Sequence, residues 1–101
     1  MRNIQSFSVA APGVTHTTTI STAVGGTIPT TAGGLKPRLL RFCATATAYV
    51  KLLPAAGNAA TTDTMVQPGA PVILEVGGNT NYSVIDDGTS CKVNVVPLED
   101  S

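Results

Sequence analysis

Charge is the first thing this 101-residue sequence has little of: 12% of its residues are Asp, Glu, Lys or Arg, and six cations balance six anions. The cations, Arg2, Lys36, Arg38, Arg41, Lys51 and Lys92, are scattered along the chain. Nucleic-acid binding draws its affinity from clustered cations that release condensed counterions, so that role is not expected. Aromatic residues are equally scarce, at 4% with no Trp. The core must therefore be built from Val, Leu, Ile and Ala. Such side chains offset less of the roughly 1–2 kcal/mol per residue that ordering a chain costs, which makes subunit association a natural remedy. Histidine occurs once, at His16, with no cysteine or second histidine at ligand spacing, so no zinc site is expected. The segment Met1 to Phe7 has no apolar run of the length a signal peptide requires. The chain is thus expected to fold in the cytoplasm, with Cys43 and Cys91 as free thiols. No stretch approaches the roughly 20 apolar residues of a membrane-spanning helix.

What is present points to strands and turns in a single domain spanning residues 1–101. Residues 5–11 and 15–23 are rich in Val, Ile, Thr and Ser, which favours extended pairing, and Pro12-Gly13 separates them. The segment Gly25 to Gly34 is bracketed by glycine pairs and holds Pro29, so it reads as a long surface connection from which Ile28 dips inward. After Pro37, the run Arg38-Leu39-Leu40-Arg41-Phe42-Cys43 reads as a strand with Leu40 and Phe42 inward and Arg41 and Cys43 outward. Ala48 to Leu52 alternates as clearly, and Pro54 closes it. Residues 55–63 are the one place where a short helical turn is plausible.

The final third carries three strand-like runs, 71–76, 82–85 and 91–96, the last with Cys91, Val93 and Val95 inward. Gly77 to Asn81 and Asp86-Asp87-Gly88-Thr89 separate them, and the Asp-Gly step suits a tight hairpin. The expected fold is all-β, a compact antiparallel β-sandwich, jelly-roll-like or immunoglobulin-like, with an extended N-terminal segment. Strands at eight- to twelve-residue spacing without intervening helices exclude a βαβ design.

Few residues suggest chemistry. Asp86 and Asp87, with Asp63 and Glu75, raise paired carboxylates or calcium, but turn hydrogen bonds explain the adjacent aspartates without either. Neither Gly25-Gly26 nor Gly33-Gly34 opens a helix or precedes the lysine of a phosphate-binding loop. Catalysis by either cysteine would need His16 as its base, and no spacing supports that. Tyr49 and Tyr82 are the only aromatics positioned to stack on a sugar, and both read as half-buried strand residues. No enzyme activity, metal or other cofactor is expected.

From Pro37 to Asp100, with Arg38-Leu39-Leu40-Arg41-Phe42, Ala48-Tyr49-Val50-Lys51, Gln67-Pro68-Gly69, Pro71 to Val76 and Val93 to Asp100, the pattern of strands and turns resembles small β-sandwich capsid decoration (cement) proteins of tailed bacteriophages. That resemblance implies a virion structural protein on the outside of the head, bound to the major capsid protein and to itself as a symmetric homo-oligomer, often a trimer. It carries no individual binding residue across. The alternative is a phage tail or baseplate accessory module that recognises host glycan or protein. Ile4 and Phe7 lie in polar surroundings beside Arg2, the only charge in residues 1–9, so this segment reads as an arm whose Arg2, Ile4 and Phe7 contact a neighbouring subunit or the capsid.

Overall fold

Alternation of apolar and polar residues leaves one face of each strand to be covered, and two sheets cover each other. A computed structural model describes residues 7–9, 13–30, 34 and 36–100, with residues 7–9, 99 and 100 described by their backbone alone. The strands are β1 (Phe7–Val9), β2 (Val14–Thr17), β3 (Val24–Thr27), β4 (Leu39–Ala44), β5 (Ala48–Leu53), β6 (Thr64–Val66), β7 (Val72–Glu75), β8 (Asn81–Asp86) and β9 (Lys92–Asp100). There is no helix among the described residues, and residues 60–63 form only a turn closed by the Asp63 N–H on the Ala60 carbonyl.

One sheet runs β1, β9, β4, β7, with β2 also paired to β9, so that β1 and β2 lie end to end along the same edge of the nine-residue β9. The other runs β3, β8, β5, β6. The pairings nest: β2 with β9, β3 with β8, β4 with β7 and β5 with β6, all antiparallel. This is one long hairpin rolled up until β9 meets β4 and β8 meets β5. The resulting order is that of a jelly roll, which decides between the two sandwich topologies expected from the sequence.

The core lies between the sheets. Leu40, Phe42, Val93 and Val95 from one sheet meet Val50, Val66, Tyr82 and Val84 from the other, with Ile28, Val76 and Cys91 at the ends. Phe42 and Tyr82 meet edge to face across the layers, with centroids 6.1 Å apart, a pair worth about 0.5–1.5 kcal/mol beyond its burial. Leu39, Val96 and Leu98 form a second buried cluster on the opposite face of the β9 sheet. Gly13 lies against that cluster, since a Cβ there would come within 2.7 Å of Val96.

Two expectations need correction. Residues 25–34 are not all surface connection, because Val24–Thr27 is the β3 edge strand, paired residue by residue with Asn81 to Val84. Glycine has low intrinsic strand propensity, so the strand is made by its partner: a Cβ on Gly25 would lie 2.1 Å from the Tyr82 carbonyl oxygen. Ile28 does turn inward and is buried. The Asp86 to Thr89 step is no hairpin either. Its flanking strands β8 and β9 belong to opposite sheets, and the chain crosses between layers there, with Gly88 at a φ of 90°.

Candidate docking edges

Among the described residues this jelly roll leaves four open sheet edges, two on each flank. On one flank β2 and β3 lie at the ends of their sheets, on the other β6 and β7. Backbone parity fixes which groups are free. The Thr18 N–H donates to the Cys91 carbonyl at 2.8 Å, and with Thr17 opposite Lys92 and Val14 opposite Val95 this turns the backbones of His16 and Val14 toward β9 and those of Thr15 and Thr17 away from the sheet. Likewise the Ile28 N–H donates to the Thr80 carbonyl at 2.9 Å, leaving Gly25 and Thr27 to face outward from β3. On the far flank the Val76 N–H donates to the Arg38 carbonyl at 2.8 Å, so Ile73 and Glu75 present the free groups of β7.

These edges carry almost no charge. From Asn3 through Leu35 there is no Asp, Glu, Lys or Arg, a stretch that includes β2 and β3. Isolated proteins protect exposed edges with inward or edge charges, most often Lys. Here β2 and β3 present threonine hydroxyls and bare glycine backbone, and Ile20 in the connection between them is 57% exposed.

A buried polar knot holds this flank in shape. Asp86, at the end of β8, faces inward and is buried. Its Oδ1 accepts the Ser21 N–H at 3.1 Å and the Gly88 N–H at 3.2 Å, joining the β2–β3 connection to the β8–β9 crossing. Ser21 needs that support, having a φ of 62°, a left-handed backbone that a non-glycine residue adopts at a cost. Burial works to raise the carboxyl pKa, but the hydrogen bonds from Ser21, the Thr18 hydroxyl and Gly88 outweigh it and hold the group below its ordinary value of 3.8. Beside it the Cys91 N–H donates to Thr18 Oγ1 at 2.9 Å, and the Ser90 hydroxyl donates to the Thr18 carbonyl. The sequence reads Asp86 as a turn residue held by side-chain to backbone hydrogen bonds, and the bond from Gly88 is of that kind, but its burial and its link to Ser21 were not legible. The available signal was its even spacing from Tyr82 and Val84 on one strand face.

His16 is half-buried at the mouth of the sandwich. Its Nε2 lies 2.5 Å from the Tyr82 hydroxyl, with the rings edge to face at 5.5 Å. Burial lowers the imidazole pKa below 6.5 and raises that of the Tyr82 phenol. At neutral pH the ring is therefore neutral, and Nε2 and the Tyr82 hydroxyl share one hydrogen bond whose direction follows the ring's tautomer. Above β3, on the outer side of its sheet, a cleft of about 230 Å³ is lined by Gly25, Gly26, Gly57, Asn58, Asn81 and Tyr82 among others. Its wall is the 55–60 segment, fastened by the Ala59 N–H on Ser83 Oγ at 2.9 Å.

Of the other described residues singled out in the sequence, only Tyr49 and Asp87 are brought into contact. No group of three or more His, Cys, Asp or Glu side chains able to hold a metal forms among the described residues. Cys43 is half-buried on the outer face, Cys91 is buried in the core, and both are free thiols. Tyr49 is buried and its hydroxyl donates to Asp87 Oδ1 at 3.3 Å. Of the three docking residues, Arg2 and Ile4 lie outside the described residues, while Phe7 begins β1 and its backbone is in register with Asp100 of the same chain. No helix among the described residues is long and apolar enough to cross a membrane. Compared with known proteins, the chain matches no family model, no curated protein and no solved structure.

Proposed function

We propose that this protein is a non-enzymatic structural protein that docks through the β2/β3 flank onto a larger assembly, and that the assembly is a phage head whose major capsid protein it decorates from outside. The observation that carries docking is the pair of adjoining open edges whose outward backbone groups, at Thr15, Thr17, Gly25 and Thr27, have no charged residue near them in sequence. A partner that supplies a strand or a loop to such an edge satisfies those groups and desolvates only hydroxyls and glycine backbone, at little electrostatic cost. β1, which begins with Phe7, lies on the same edge of β9 as β2. The phage head as the assembly rests on the resemblance of residues 37–100 to decoration proteins.

The test is occupancy of purified heads by the wild type, by a variant lacking residues 2–7, and by Thr17→Lys and Thr27→Lys, which place a charge on each open edge. Saturable binding by the wild type, weakened in the folded variants, supports the proposal. Unchanged occupancy in all three refutes the docking surface. A second reading, a tail module that recognises host glycan, is favoured by the uncharged cleft beside Asn58 and Asn81, whose amides can bond to sugar hydroxyls. Binding of the protein to host surface glycan, lost on Gly26→Val, would select it.

A further inference from the structure

We infer that a second copy of this chain docks on the opposite flank, by pairing β7 with its own symmetry mate in one register. The outward backbone groups of β7 belong to Ile73 and Glu75, and Ile73 is 43% exposed. From Thr64 through Leu74, the run that forms β6, the connection and most of β7, there is no charged residue. Glu75 is thus the only charge within β7, with the Lys36 ammonium on the Gly77 carbonyl at 2.9 Å just past its end, and the available antiparallel registers differ in what they do with it.

A two-fold axis through Ile73 pairs Glu75 with Pro71 of the other copy, and Pro71 has no N–H to give. An axis through Glu75 sets two carboxylates opposite each other, which is repulsive. An axis through Leu74 pairs Ile73 with the other copy's Glu75 twice over, and each pair exchanges both N–H···O bonds, giving about four in all.

The third register also places the charges well. Within one copy Arg41 on β4 stands directly opposite Ile73, and on the outer face the row continues from Val96 through Arg41 to Ile73. In the paired sheet the next residue along that row is Glu75 of the second copy. Its backbone is two strand spacings, about 9–10 Å, from that of Arg41, within the combined reach of the two side chains. Among the described residues neither Arg41 nor Glu75 is in an ion pair, and Arg41 Nε is buried without a hydrogen-bond partner. The two-fold supplies each Arg41 with a carboxylate and continues the β9 sheet across both copies. Four residues a side make a small interface, so the association is of the weak, transient class. It does not depend on the phage-head reading, since no assembly takes part in it.

The test is amide hydrogen exchange of the isolated protein, residue by residue, from about 10 μM to about 1 mM, where a small interface passes from mostly free to mostly bound. The Ile73 and Glu75 amides should gain protection with concentration, while those of Val72 and Leu74, bonded to β4, stay protected throughout. Ile73→Lys should abolish the gain, and Glu75→Lys, which faces Arg41 of the other copy twice, should weaken association roughly 3- to 30-fold. Retained protection at Val72 and Leu74 shows that each variant is folded. Exchange at Ile73 and Glu75 that does not depend on concentration overturns the inference. So does a gain that appears only at Thr15, Thr17, Gly25 or Thr27, or one that survives undiminished in both variants.

Discussion

Two adjacent glycines in β3 should respond in opposite directions to the same methyl group. At Gly25 the added Cβ would lie 2.1 Å from the Tyr82 carbonyl oxygen and 2.8 Å from the Ser83 Cα, both backbone atoms of β8 that no rotamer change can move. The strands must separate, at the cost of ladder bonds and of the Ser83 hydroxyl contact to the Val24 carbonyl. Overpacking of this kind costs about 1–3 kcal/mol. At Gly26 the added Cβ meets nothing within 4 Å, and neither residue has a positive φ. Gly26→Ala therefore acts mainly on the unfolded chain and should stabilise by about 0.4–1 kcal/mol. Urea unfolding of the two variants measures the difference, and in thermal unfolding each kcal/mol is about 4–8 °C for a domain of this size. Were residues 25 and 26 a surface connection, the two substitutions would have similar, small effects. That outcome, or a neutral Gly25→Ala alone, would refute the pairing of β3 with β8.

The remaining expectations concern titration, thiols and the core. Because burial lowers the His16 pKa in the folded protein, the unfolded chain takes up a proton first as pH falls, so stability is full above about pH 6.5 and declines below it until the folded ring titrates too. His16→Phe should remove that step from the pH dependence of the urea midpoint. Asp86 acts lower: its folded pKa lies below 3.8, so its contribution is present above pH 3.8 and is lost as pH falls through the folded value, and Asp86→Asn should abolish the loss along with part of the stability. A thiol reagent should modify Cys43 in the folded protein and reach Cys91 only on unfolding, since Cys91 is 5% exposed; equal rates at the two would contradict its place in the core. Phe42→Ala, at a fully buried site in a core with so few rings, should cost about 3–5 kcal/mol by denaturant unfolding.

The sequence was legible where alternation is strong and both faces differ. Leu40 and Phe42 inward with Arg41 and Cys43 outward, the strand from Ala48 to Leu52, which runs one residue further to Leu53, and the inward set Cys91, Val93 and Val95 could all be read from period-two patterning, because burial on one face imposes it. β3 could not, because a Val-Gly-Gly-Thr strand has no propensity of its own and exists through β8. β6 is three residues long, too short for a pattern. The nested pairing of the strands was hidden for another reason: its partners, such as Val14 and Val95, are far apart in sequence, and no local signal says which of several similar strands will meet. The candidate docking edges were half legible. The uncharged stretch was plain, but which backbone groups face outward depends on register, and register is a property of the folded sheets. The burial of Asp86 was missed because an Asp-Asp-Gly sequence is a turn signal whichever face its first residue occupies.

The most direct test of the docking account is to image phage heads by electron cryomicroscopy before and after saturation with the purified protein. The account predicts added density of this jelly roll repeated over the head exterior, with the β2/β3 flank against the shell and the β6/β7 flank turned away from it or toward another copy. Heads that acquire no density at saturating concentration, or density confined to a few copies at the tail, would contradict it.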